Sequence, residues 1–192
     1  MYSYRLYLEG EEIDLRGNLS IVRQYLGSCL MDRIKERKTT GYLKYKLERN
    51  LLLYHNEVQT YSKLANLGVC PKLLHHEVLF ECKVSYCCDK DNGEFTLYAY
   101  YLEIEHHGVD LVDEFGKASS SSVYLMQRDK PLNKQELVLC FPYPQHVQAQ
   151  VIDLVERMSK VGVYHQDLHS SNVLIKDGVV KIIDFEFCEF AD

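Results

Sequence analysis

The stretch from Tyr164 to Glu186, YHQDLHSSNVLIKDGVVKIIDFE, constrains the fold most, because it alternates short apolar runs with polar residues at fixed places. Val173-Leu174-Ile175 and Val179-Val180-Lys181-Ile182-Ile183 read as two short strands joined by a tight reversal at Lys176-Asp177-Gly178. Such a hairpin carries Asn172, just before the first strand, towards Asp184, just after the second. Asp167 lies five residues before Asn172, in His165-Gln166-Asp167-Leu168. Two oxygen donors and a further carboxylate gathered in this way suit a reaction that needs a positioned hydroxyl and a neutralised phosphate. Asp167 would accept a hydrogen bond from the hydroxyl, and Asn172 and Asp184 would offer oxygen to Mg²⁺.

These residues resemble the protein-kinase-like superfamily, whose catalytic loop reads H-R-D-L-x-x-x-N and whose metal loop reads D-F-G. Gln166 stands where the family has arginine, His169 follows Leu168 as in aminoglycoside phosphotransferases, and Ile183-Asp184-Phe185-Glu186 resembles choline-kinase relatives. The resemblance therefore points to an atypical, minimal member. It implies an α+β, two-lobe fold, with residues 1–105 as a first lobe of β-sheet plus one helix. Residues 106–192 would form a truncated second lobe holding the catalytic and metal loops.

The same resemblance assigns further roles upstream. In Gly41-Tyr42-Leu43-Lys44-Tyr45-Lys46-Leu47 the alternation suits a strand, with Leu43, Tyr45 and Leu47 on one face and Lys44 and Lys46 on the other. YLKYKL followed by NEVQTYSKLANLGVCPKLL is similar to the compact kinases of the tRNA-modifying KEOPS complex, and that register favours Lys44 over Lys46 as the residue for the ATP phosphates. Val58, Tyr61, Leu64 and Ala65 recur at helical spacing before Gly68 and Pro71. On that helix Glu57 either complements the helix dipole or pairs with Lys44, and the resemblance favours the pair. Tyr25-Leu26-Gly27-Ser28-Cys29 falls where a kinase places its glycine-rich lid, but only Gly27 is present, so a degenerate or absent lid is expected.

The remaining segments fill in the order of elements. A hairpin is expected from Tyr2 to Leu15, and a second from residues 78–105 around Asn92-Gly93. Leu102 to Gly108 resembles a kinase hinge. Residues 116–145, with the serine run 119–122 and three prolines, read as a loop-rich insertion. Val147, Val151, Leu154, Val155 and Met158 form a helical stripe leading into the catalytic loop.

Composition narrows the classes. At 192 residues and 46% hydrophobic, the chain is long enough for one sizeable core or two small lobes. A formal net charge of -6 argues against primary nucleic-acid binding. No apolar run reaches transmembrane length, and MYSYRLYLEG lacks a secretory core, so a cytoplasmic or nuclear location without membrane contact is expected. Seven cysteines at irregular spacing suggest reduced thiols, and a zinc cluster drawn from His75, His76, Cys82, Cys87, Cys88, His106 and His107 lacks paired CxxC spacing.

An ATP:hydroxyl phosphotransferase is the expectation, with ATP and Mg²⁺ as cofactors and a protein serine or threonine as the favoured acceptor. His169 and Glu186 also suit a small hydroxylated acceptor. A pseudokinase that docks on a partner is a further reading. Few residues follow Asp184, so an oligomer or a partner covering the truncated second lobe is expected.

Overall fold

The computed structural model describes residues 1–118 and 122–191, and the chain divides into two compact units. Unit 1 comprises Met1–Leu52 and Leu74–Ile104, and unit 2 comprises Leu53–Leu73 and Glu105–Asp192. The architecture is α+β. The sequence divides the chain once, near residue 105, whereas residues 53–73, which include the expected glutamate helix, group with unit 2.

Unit 1 is an antiparallel sheet covered by a helix. Its elements are β1 (Tyr2–Leu8), β2 (Glu11–Gly17), α1 (Leu19–Lys35), β3 (Tyr42–Glu48), β4 (Leu73–Cys88) and β5 (Asp91–Ile104). The strand order is β2-β1-β4-β5-β3, so β3 forms one edge. Asn18 caps α1 by accepting from the Ser20 N–H at 3.0 Å, and Val22, Leu26, Leu30 and Ile34 make its buried stripe. That stripe packs on Tyr4, Leu6 and Leu8 of β1 and on Phe80, Cys82, Val84, Leu97, Ala99 and Tyr101 of β4 and β5.

Three sequence expectations meet the fold here. Tyr25–Cys29 lies inside α1, where every backbone donor is committed to the helix, so this stretch makes no phosphate-cradling loop. On β3 the unbroken register with β5 keeps Leu43, Tyr45 and Leu47 on one face, where Leu43 and Leu47 pack against the core and Tyr45 is 47% exposed. The β4–β5 turn is at Asp89-Lys90 rather than Asn92-Gly93. Gly93 instead lies beneath the ring of Tyr86, where an added Cβ would stand 2.6 Å from the hydroxyl oxygen and push the ring aside.

Unit 2 holds α2 (Leu52–Leu64, from Leu53 onward), β6 (Val109–Asp110), α3 (Leu111–Phe115), α4 (Lys134–Cys140), α5 (Gln145–Lys160) and β7 (Val163–Tyr164). After these come a 3-10 turn at Ser170–Asn172, β8 (Val173–Lys176), β9 (Val179–Ile182) and β10 (Glu189–Phe190). The expected hairpin forms as β8 and β9, with Asp177 at φ 50° and Gly178 at φ 77°, the two positive dihedrals of a tight two-residue reversal. Gln150 of α5 braces it from outside, donating to the Gly178 carbonyl at 2.8 Å and accepting from the Val180 N–H at 3.0 Å. Val147, Val151, Leu154, Val155 and Met158 are buried on α5, as their spacing predicts. The insertion contains α4, capped by Asn133, which accepts from the Glu136 N–H at 3.2 Å; residues 119–121 of its serine run lie outside the described residues.

Candidate functional site

A neutral histidine organises the centre of unit 2. His165 is fully buried, accepts the Asp167 N–H at Nδ1 (3.1 Å) and bonds the Ile183 carbonyl through Nε2 (3.1 Å). An N–H donor and a carbonyl acceptor on opposite ring nitrogens fix the proton on Nε2. Burial pushes the His165 pKa down, outweighing the carbonyl bond and the Asp184 and Asp167 carboxylates, which push it up. The imidazole thus ties the backbone of the loop carrying Asp167 to the residue before Asp184 without carrying charge.

Asn172 is the second tie. Its side-chain Nδ2 donates to the Asp167 carbonyl at 2.8 Å, which leaves the opposite atom, Oδ1, as the amide's acceptor. Its backbone carbonyl accepts from the Ile183 N–H at 2.9 Å. Hydrogen bonds therefore run from Asp167 to Asn172 and on to the residue before Asp184. The structure brings these three sequence-predicted residues onto one connected set of loops.

Asp184 has φ 66°, the left-handed region that a non-glycine residue rarely adopts. Phe185 is fully buried against Tyr61 of α2, edge-on at 5.1 Å between ring centroids, and against His165 at 5.5 Å. Asn56 of α2 donates to the Glu186 carbonyl at 3.1 Å. The result is a triad that sequence reasoning missed in part: Glu57, Asp184 and Glu186 each offer a carboxylate oxygen within 4.8 Å of the others, with Glu57 and Glu186 buried. Carboxylates this close in a dry setting call for positive charge. Glu57 thus has carboxylate neighbours within its own unit. Glu186 was visible in the Asp-Phe-Glu string, but its convergence with Glu57 is a long-range contact with no local signal.

The field of this triad reaches its neighbours. Burial pushes the Cys188 thiol up to about 12, opposed by the nearby Thr60 hydroxyl and reinforced by Glu57 and Asp184. Tyr61 is pushed well above its ordinary value by burial and then by Glu57. Both stay protonated at neutral pH.

Asp167 is different in kind, since its side chain is 39% exposed and can be reached by a solute. His169 Nε2 lies 3.7 Å from its Oδ2. His169 Nδ1 accepts from the Ser171 N–H at 3.3 Å, which aims the other nitrogen at the carboxylate. From the opposite flank, a short extended segment of the insertion is zipped onto the loop. Tyr124 exchanges backbone bonds with Leu168 (2.8 and 3.3 Å), the Met126 N–H donates to the His165 carbonyl at 3.0 Å, and Gln166 Nε2 donates to the Met126 carbonyl at 2.7 Å. A cavity of about 430 Å³ lined by Tyr124, Met126, Lys130, Glu136, Val155 and Tyr164 borders this segment. None of Asp167, Asn172 and Asp184 lines it.

Lys44 belongs to unit 1, on β3 opposite Leu102 of β5. Glu103 steadies the start of that strand by accepting from the N–H groups of Thr40 (2.6 Å) and Gly41 (2.7 Å). Among the described residues, the convergent group of potential metal ligands is the carboxylate triad, and no cysteine or histidine joins it. Cys82 lies in the unit 1 core and His75 stacks on Tyr101 at 5.6 Å. No helix among the described residues is long and apolar enough to cross a membrane.

No family model matches the chain, and no curated protein matches it.

Proposed function

We propose that the chain is an ATP-dependent phosphotransferase of the protein-kinase-like fold that transfers a phosphoryl group to a hydroxyl, with a protein serine or threonine as the favoured acceptor. The observation that supports this reading above others is the hydrogen-bonded route from Asp167 through Asn172 to Asp184. It leaves one exposed carboxylate and a set of amide and carboxylate oxygens, the division of labour that phosphoryl transfer requires.

The donors fit Mg²⁺ by their chemistry. Asn172 Oδ1 and the carboxylates of Asp184, Glu186 and Glu57 are hard oxygens, with no sulfur or imidazole among them. Asn172 and Asp184 would hold the ion, with Glu186 beside them. When bound, Mg²⁺ with ATP supplies the phosphoryl group and neutralises its charge. Asp167 accepts the hydrogen bond of the incoming hydroxyl and takes its proton. His169, pointed at that carboxylate, holds it in place. His165 and Phe185 fix the loops behind the site and exclude water from them. Lys44 is the residue that the resemblance nominates for the phosphates.

ATP titration with and without Mg²⁺, paired with turnover, tests the proposal. Wild type should bind ATP only with Mg²⁺. Asp167→Asn should keep that binding and lose roughly 10²- to 10⁴-fold in turnover. Asp184→Asn should lose the Mg²⁺-dependent binding itself. Equal residual turnover in both variants, or ATP binding indifferent to Mg²⁺, refutes the roles. Mg²⁺-dependent binding without transfer to any acceptor would instead favour a docking pseudokinase, the reading supported by the helical conformation of Tyr25–Cys29.

A further inference from the structure

Unit 1 contains a pocket that none of the residues above uses. Near the start of β1 and the β4–β5 turn, a cavity of about 370 Å³ is lined by Tyr2, Tyr4, Tyr86 and Phe95 together with Asp91, Glu94 and Arg49. Tyr2 and Tyr4 are stacked, and Tyr86 is inclined to both Tyr2 and Phe95. Tyr2 and Tyr4 lie 5.9 Å apart at 28°, Tyr2 and Tyr86 6.0 Å at 63°, and Tyr86 and Phe95 6.1 Å at 47°. Tilted rings present π faces in several directions, and a flat stack does not. Tyr86 is held in place, because its ring rests directly on the side-chain-free backbone of Gly93.

The pocket's charge matches those faces. An aromatic face is electronegative and attracts cations, and Asp91 and Glu94 add two exposed carboxylates against the single guanidinium of Arg49. One wall already takes a cation, since Arg49 Cζ stands 4.4 Å from the Phe95 ring centroid. Two carboxylates against one guanidinium leave the lining with net negative charge, which disfavours an anion. A neutral apolar ligand would leave Asp91 and Glu94 without a role.

We propose that this cavity binds an alkylated ammonium group, presented either by a free quaternary amine or by a methylated lysine side chain. The site is independent of phosphoryl transfer and stands whether or not that reading holds.

The chain has 15 tyrosines and no tryptophan, so tyrosine emission and tyrosine ring NMR signals report directly on such a pocket. Tetramethylammonium, a trimethyllysine peptide and the neutral isostere tert-butanol are titrated into the full chain. Saturable shifts are expected with tetramethylammonium, at an affinity roughly tenfold or more above that for tert-butanol. Glu94→Gln, an exposed change that leaves the core intact, should weaken the cation several-fold, and Tyr86→Leu should weaken it further, with melting curves verifying the fold. A peptide that binds at least tenfold tighter than tetramethylammonium assigns the site to methylated lysine, and equal affinity assigns it to a free amine. No saturable shift at millimolar concentration, an equal response to tert-butanol, or unchanged affinity in Glu94→Gln overturns the proposal.

Discussion

Replacing His165 with leucine probes the link between the loops that carry Asp167 and Asp184, and its cost can be worked out from two bonds. The substitution removes the acceptor of the Asp167 N–H and the partner of the Ile183 carbonyl, both at 3.1 Å in a fully buried setting. Each orphaned buried group costs about 1–3 kcal/mol, so the variant should lose about 2–6 kcal/mol at pH 7.5. The pH dependence makes the test specific. Burial holds the His165 pKa below the ordinary 6.5, so below that pH the unfolded chain takes up a proton that the folded chain refuses. The stability that the neutral ring contributes is present above about pH 6.5 and drains away as pH falls towards the folded pKa. Leucine cannot titrate, so the gap between wild type and variant should shrink as pH falls from 6.5 to 5.5. Carboxylates and the remaining histidines titrate alike in both proteins and cancel in the difference. Urea unfolding followed by circular dichroism at pH 7.5, 6.5 and 5.5 measures it. A gap that stays constant with pH would mean that the fold leaves the His165 pKa unshifted, and a gap that widens as pH falls would mean that the ring is charged in the fold; either refutes the neutral, buried imidazole.

Gln166→Ala removes the bond to the Met126 carbonyl and should cost only about 1 kcal/mol, yet amide exchange at Tyr124 and Met126 should quicken because the zipped segment loosens. Unchanged protection there would show that the backbone bonds alone hold the segment. Phe185→Ala opens a void between Tyr61 and His165 and should destabilise by about 3–5 kcal/mol in thermal or urea unfolding. A loss below 1 kcal/mol would show that the ring is not a packing element.

What the sequence revealed follows the range of each interaction. The β8–β9 hairpin and the α5 stripe were legible because a two-residue reversal and a four-residue periodicity are local. Helix α1 was not, since Val22, Leu26, Leu30 and Ile34 form a narrow stripe of one residue per turn, and the resemblance gave Tyr25–Cys29 the place of a lid. Asn92-Gly93 misled because the bare backbone of Gly93 makes room for the Tyr86 ring and does not form the turn. Asp167, Asn172 and Asp184 could be picked out because one hairpin joins them. The arrival of Glu57 beside Glu186, and of Tyr124 beside Leu168, depends on contacts between residues far apart in the chain, and no short pattern encodes those.

The pairing of β10 with β7 has its own consequence. Glu189 meets Tyr164, Phe190 meets Val163, and the Ala191 N–H donates to the Gly162 carbonyl at 2.8 Å. This ladder is a clasp that closes a ring of chain around Asp167, Asn172, Asp184 and Glu186. The entropy of ordering that ring is met once, at the clasp, so its members gain or lose order together. Relaxing the left-handed Asp184 by itself would mean unbuckling its own anchor.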